Sequence, residues 1–328
     1  MTPIPPAARS RRIASPLSTS QMTTPLPYQD ASIGDIIIRT SDNVEFHVHS
    51  RRLADASPFF ADMFTLPPLP TTSSTEGPTI TEKLAVDVSE ASTVWSKILP
   101  LIYLAEEPPL DLADLRALIA TGRKYGIPGV VGHARGPLYS PEFLDEHPYA
   151  VYALACFGGF EDVARVAARR TLKMSGCPRP AEAFEFVGGD AVCRLMRYRE
   201  ECCEAAVLIT EVMNQADILL PCNPTSRGFS CSVPTQPIYF ENDGWKSTYK
   251  SCIEYLDGLS KGLSHRPDPS LARHASLLTI IVTSVLSCAT CRSTIYERCN
   301  TFAEQTEARI ETAISQVSVQ TVESGEYI

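Results

Sequence analysis

Residues 45–64 read EFHVHSRRLADASPFFADMF, and the fold of the chain turns on how their apolar positions repeat. Up to Val48 they alternate, with Val44, Phe46 and Val48 on one side and Glu45 and His47 on the other, as a strand requires. From Leu53 the step lengthens to three and four, through Ala56, Phe60, Met63 and Phe64, as on an amphipathic helix. The stretch is therefore a strand-to-helix junction. Upstream, DIIIRT at 35–40 is a short β-branched run and SDN at 41–43 supplies a turn, so a hairpin leads into the helix.

The HVH triplet raises the question of a metal or catalytic pair. His47 and His49 share a strand face with Glu45, but zinc needs a third and a fourth ligand that the stretch does not offer. The expectation is a solvated strand face, with His49 standing beside the helix start.

After Phe64 the chain reads TLPPLPTTSSTEGPT, a Pro/Ser/Thr-rich loop at 65–79 that interrupts the unit without ending it. Strand alternation returns at 80–88 through Leu84, Val86 and Val88. A helix follows at 94–104, with Pro100 expected to kink or restart it. Another runs from Asp111, a plausible N-cap, through Leu112, Leu115, Leu118 and Ile119 to Gly126.

Together these residues resemble the opening of a BTB/POZ domain, in which an Asp begins a short strand, a His ends the second, and a helix carries Leu and Ser-x-x-Phe. The matching positions are Asp35, His49, Leu53, Ser57 and Phe60, and the later helix ending Lys124-Tyr125-Gly126-Ile127 fits the same order. The resemblance covers roughly residues 30–130, and it implies an α+β BTB/POZ-like domain, a short mixed sheet flanked by helices. It further implies association through exposed faces, commonly as a homodimer, with Leu53, Phe59 and Met63 as interaction residues. Either Phe59 or Phe60 can claim the inward position. Substrate adaptors of cullin-type ubiquitin ligases and partner-recruited transcriptional regulators are found among such proteins, so a cullin is a possible partner.

Beyond 130 the pattern is helical, at 148–157, 161–174 and 191–213, then, past a second Pro/Ser-rich segment at 221–237, at 245–259, 271–290 and 301–319. The expected organisation is a disordered tail at 1–29, the BTB/POZ domain at 30–130, a helical extension at 131–220 and an all-α C-terminal region at 221–328. Some fungal BTB proteins are similar in carrying cysteine pairs beside a Trp-bearing helix, as Trp245 stands here.

The 11 cysteines lie between Cys156 and Cys299, an odd number without disulfide-framework spacing, which points to a reducing compartment, cytoplasmic or nuclear. Cys222 and Cys231 in the irregular segment, with Cys288 and Cys291 in C-x-x-C spacing, are candidate ligands for one structural zinc. The alternative is core packing, since Cys288, Cys291, Ile295 and Cys299 make one stripe if their segment is helical.

Other functions find no support. A net charge of -9 and a pI near 5.3 disfavour a phosphate-binding face and direct contact with nucleic acid. The apolar run at 277–288 is too short to span a membrane, which takes about 18 residues or more. No G-x-S-x-G elbow, G-x-G-x-x-G loop or spaced carboxylate pair marks an enzyme.

Overall fold

In the computed structural model of the chain, residues 28–66, 83–106, 109–175, 183–216, 233–240 and 244–318 are described. Strands β1 (Ile36–Arg39) and β2 (Glu45–Val48) pair antiparallel, and β3 (Leu84–Asp87) joins β1 in parallel, giving a mixed sheet of order β2-β1-β3. The expected junction is where the strand pattern ends, with helix α1 (Ser50–Ala56) starting two residues after β2. Ile36, Ile38, Phe46 and Val48 turn one face of the sheet inward onto Leu53, Phe60, Trp95, Ile98 and Leu99.

The helical pattern from Leu53 to Phe64 is two helices rather than one. Ser57 is extended, with φ -146° and ψ 116°, and separates α1 from α2 (Pro58–Thr65). Proline forces the break, because its ring disfavours a helical conformation in the preceding residue. Pro58 then opens α2, where its missing N–H costs nothing. Pro100, by contrast, leaves α3 (Ser92–Tyr103) unbroken, with Leu104 ending it in the left-handed region.

Helix α4 (Leu112–Lys124) begins in a reciprocal capping box between Asp111 and Asp114. It is buried on two sides: Leu118 belongs to the sheet-side core, while Leu115 and Ile119 belong to a second, larger core. Helix α5 (Pro128–Arg135) repeats this division with Val130 and Ala134, so the expected boundary at 130 falls inside a helix serving both cores.

The larger core is built from α6 (Pro141–Glu146), α7 (Pro148–Gly158), α8 (Glu161–Thr171), α9 (Gly189–Ala216), α10 (Lys250–Leu263), α11 (Ala275–Ser284) and α12 (Ala289–Ser315). Among its described residues the C-terminal region is helical apart from one hairpin, β4 (Thr235–Phe240) paired with β5 (Gly244–Tyr249). Trp245 thus stands on a strand, not on the expected helix, which starts only at Lys250. The helices expected at 271–290 and 301–319 divide differently. A break after Ser284 ends α11, and α12 then runs from Ala289 to Ser315 because Cys291, Ile295, Cys299, Phe302, Thr306, Ile310 and Ile314 continue one buried stripe. Among the described residues no helix is long and apolar enough to cross a membrane.

Candidate interaction face

Helices need their first N–H groups satisfied, and two helices here obtain this from carboxylates distant in sequence. The N-cap of α1 is His49, which provides no side-chain cap. Asp35, just before β1, replaces it: one carboxylate oxygen accepts the Ser50 amide at 2.7 Å and the other the Ser50 hydroxyl at 2.5 Å. His49 itself is exposed, its amide donating to the Tyr103 hydroxyl at 2.9 Å, with Nδ1 at 3.1 Å from the same oxygen. The N-cap of α3, Ala91, likewise has no side chain to offer. Asp42, in the β1–β2 turn, accepts the Ser92 amide at 2.9 Å and the Ser92 hydroxyl at 2.6 Å. The Ser92 and then the Thr40 hydroxyl hold the Asp42 carboxyl down to about 2.

Ser57 works in both directions. Its hydroxyl oxygen accepts the Phe60 amide at 3.1 Å, capping α2, and its hydroxyl proton goes to the Tyr125 carbonyl at 2.5 Å, fixing α2 to the end of α4. Phe60 is fully buried, stacked on Tyr125 at 5.5 Å and edge-on to Trp95 at 6.3 Å. The four family-pattern positions Asp35, His49, Ser57 and Phe60 therefore all lie at joints of the sheet and helices.

With Phe60 inside, its neighbour is outside. Phe59 is 47% exposed, its ring leaning edge-on against Phe60 and Tyr125 at 5.3 and 5.6 Å. Met63 is half-buried one turn on, and Leu66, the C-cap of α2, is 68% exposed. Positions 59, 63 and 66 fall at i, i+4 and i+7, so the three side chains share one side of α2. Leu53, expected beside them, is wholly enclosed between sheet and helices and has no surface to offer a partner. Leu66 falls inside the loop expected at 65–79, so helical spacing in the sequence does not reach it, although its offset of seven from Phe59 places it on the same side.

Next to this stripe, His49, Arg51, Arg52, Asp55 and Tyr103 line a polar groove of about 540 Å³ on α1. His47 is not on the solvated face expected for it. It is 9% exposed, because residues before β1 run along β2 and the His47 amide donates to the Tyr28 carbonyl at 2.7 Å.

Of the candidate zinc ligands, Cys222 and Cys231 lie outside the described residues. Cys288 is the half-buried N-cap of α12, and Cys291, one turn in, is 1% exposed with its sulfur 3.0 Å from the Tyr249 hydroxyl. Among the described residues no three His, Cys, Asp or Glu side chains gather as a metal site would require.

Residues 28–140 match the family model of the BTB/POZ domain, taking in the mixed sheet, the α2 stripe and the helices through α5. No curated protein matches the chain.

Proposed function

We propose that the BTB/POZ domain of this chain, a protein-interaction module, self-associates through the outward stripe of α2 and acts as a scaffold or adaptor in the cytoplasm or nucleus. The observation that carries this reading is the division of labour between adjacent phenylalanines. Phe60 is locked in the core, and Phe59 and Leu66 are thereby held exposed on the surface, with Met63 between them half-buried and resting on the sheet-side core. A rigid aromatic anchor loses little conformational freedom on binding, which is why such residues dominate interface energetics.

Sedimentation of the full chain and of a Phe59→Asp, Met63→Asp double variant tests it. The wild type sediments as a dimer or larger, and the variant shifts toward monomer with an unchanged circular dichroism spectrum. Equal masses for the two proteins discard the α2 face.

A cullin-type ligase is a second partner to test. Helix α7 packs onto α4 and α5 of the BTB/POZ domain, and α6 and α8 pack onto α7, so domain and extension offer one continuous support. Co-sedimentation of the purified chain with a cullin supports the adaptor role. A clean homo-oligomer with no cullin bound, even at high concentration, favours the scaffold.

A further inference from the structure

The mixed sheet has two unlike edges. On the β2 side, the His47 amide donates to the Tyr28 carbonyl, so a neighbouring segment occupies that edge. On the β3 side, no strand borders the sheet among the described residues. Backbone groups along a strand alternate between its two edges. The Val88 amide points inward, donating to the Arg39 carbonyl at 2.9 Å. Leu84 and Val86 share its direction, and Ala85 and Asp87 face outward. Side chains alternate between sheet faces as well, with Lys83, Ala85 and Asp87 on one and Leu84 and Val86 on the other. Leu84 is 55% exposed, and the Asp87 side chain 76%.

We infer that the outer edge of β3 pairs with the same edge of a second copy of this chain, antiparallel about a two-fold axis through Ala85. A two-fold axis can pass through any position from 83 to 87. It falls at a hydrogen-bonded pair when it passes through an outward-facing residue and at a non-hydrogen-bonded pair when it passes through Leu84 or Val86. An axis at Leu84 or Val86 sets Lys83 or Asp87 opposite Ala85 and pairs no charges, and charge chooses among the rest. Centred on Lys83 it sets lysine against lysine, and centred on Asp87 it sets aspartate against aspartate; like charges directly opposite one another destabilise a strand pair. Centred on Ala85 it sets Lys83 against Asp87 of the second copy twice on one face, and Leu84 against Val86 of the second copy twice on the other. Within its own chain the Lys83 ammonium also donates to the Ala31 and Ile33 carbonyls, and Asp87 pairs through one oxygen with Arg39. Charges on a sheet edge ordinarily guard it against pairing. Here their opposite signs, four positions apart, make one register attractive, leave its nearest neighbours without a charge pair and make the next ones repulsive.

This surface lies apart from the α2 stripe and is independent of it. A chain with two different two-fold faces assembles beyond a dimer, into a closed dihedral oligomer where the two axes intersect at a closing angle and otherwise into an open row of copies.

The test uses the full chain. In Ala85→Cys the two cysteines stand opposite one another with Cα atoms about 5.5 Å apart, within disulfide reach. Mild oxidation therefore yields a cross-linked dimer on a non-reducing gel. The wild type, with its own cysteines elsewhere, sets the background, and Leu84→Cys, offset along the strand, stays at that background. In a Phe59→Asp chain, where the α2 stripe is silenced, Lys83→Asp or Asp87→Lys alone weakens the remaining association about tenfold, and the two together restore it. Absence of the Ala85→Cys cross-link, or a double charge reversal as weak as the single ones, overturns the inference and leaves the α2 reading standing. An Ala85→Cys cross-link above the wild-type background, together with a wild-type mass that Phe59→Asp does not change, has the opposite meaning, supporting β3 and discarding α2.

Discussion

The core around Phe60 and the core around Tyr255 are held by different kinds of polar bond. In the first, small side chains at the ends of elements do the tying: Asp35 to Ser50, Asp42 to Ser92, and Ser57 to the Tyr125 carbonyl across 68 positions of sequence. In the second, long side chains reach carbonyls from within the packing, Tyr255 to Ala272 at 2.7 Å and Tyr152 to Ala191 at 2.9 Å. Burial pushes both phenols far above their ordinary range, so they stay protonated and act as donors. A short side chain makes its bond from only one position, whereas a tyrosine can reach a carbonyl from several. The sheet-and-helix region is accordingly specified by a few small residues at fixed offsets, and the helical region by distributed apolar area.

The largest expected effect probes the first core. Phe60→Ala lowers unfolding free energy by about 3–5 kcal/mol, whereas Phe59→Ala, half exposed, lowers it by about 1 kcal/mol or less. Chemical denaturation of the two variants measures the gap, and equal losses erase the inside-outside division of the pair.

The next sets the two regions against each other. Ser57→Ala removes a cap and strands a buried carbonyl together, a loss of about 2–3 kcal/mol. Tyr255→Phe also strands a buried carbonyl, that of Ala272, but removes no cap and keeps its packing, a loss of about 1–2 kcal/mol. Should Tyr255→Phe prove the costlier of the two, the contrast between the regions is wrong.

Acid provides a finer probe of the small capping residues. Because Asp42 titrates lower in the folded chain than unfolded, its contribution is present above the ordinary carboxylate range near pH 4 and is lost as pH falls toward about 2. Asp42→Asn is therefore less stable than wild type at neutral pH and converges with it below pH 2. A gap that persists in acid would mean the side chain acts by shape and not by charge.

The smallest effect concerns the cysteine stripe. Cys291→Ser, replacing a buried thiol among Ile295, Cys299 and the Tyr249 hydroxyl, costs about 1 kcal/mol and leaves the metal content of the purified chain unchanged. Zinc near one equivalent in the wild type, lost in Cys288→Ser and Cys291→Ser alike, would instead establish a thiolate clamp with Cys222 and Cys231.

How far the sequence could be read follows from the same contrast. The hairpin, the strand at β3 and the α4 cap were visible because each rests on a period or on a capping residue at a fixed offset, while the parallel pairing of β3 with β1 has no such local signal. The division at Ser57 was also written in the chain, as a residue before proline, but the helical period runs across it and conceals it. Trp245 and Tyr249 show the opposite difficulty. A spacing of four fits a helix turn and is also twice the strand period, so the two residues matched a helix while belonging to β5. The burial of His47 had no local signal, since what covers it is the approach of the chain near Tyr28 to β2. At the candidate face, Phe59 and Met63 follow from the family resemblance, whereas helical spacing alone groups Met63 with Leu53 and Phe60. Their separation from Leu53 depends on which side of α1 meets the sheet, which is a tertiary fact.

The account rests most heavily on the outward row of α2 being a contact between copies. Amide hydrogen exchange on the full chain, measured at low and high protein concentration, tests this at the residues concerned. Slower exchange at high concentration across α2, residues 58–66, with the Tyr255 core unchanged, is the expected result. Exchange across α2 that is the same at both concentrations, while the mass of the protein rises, would contradict it.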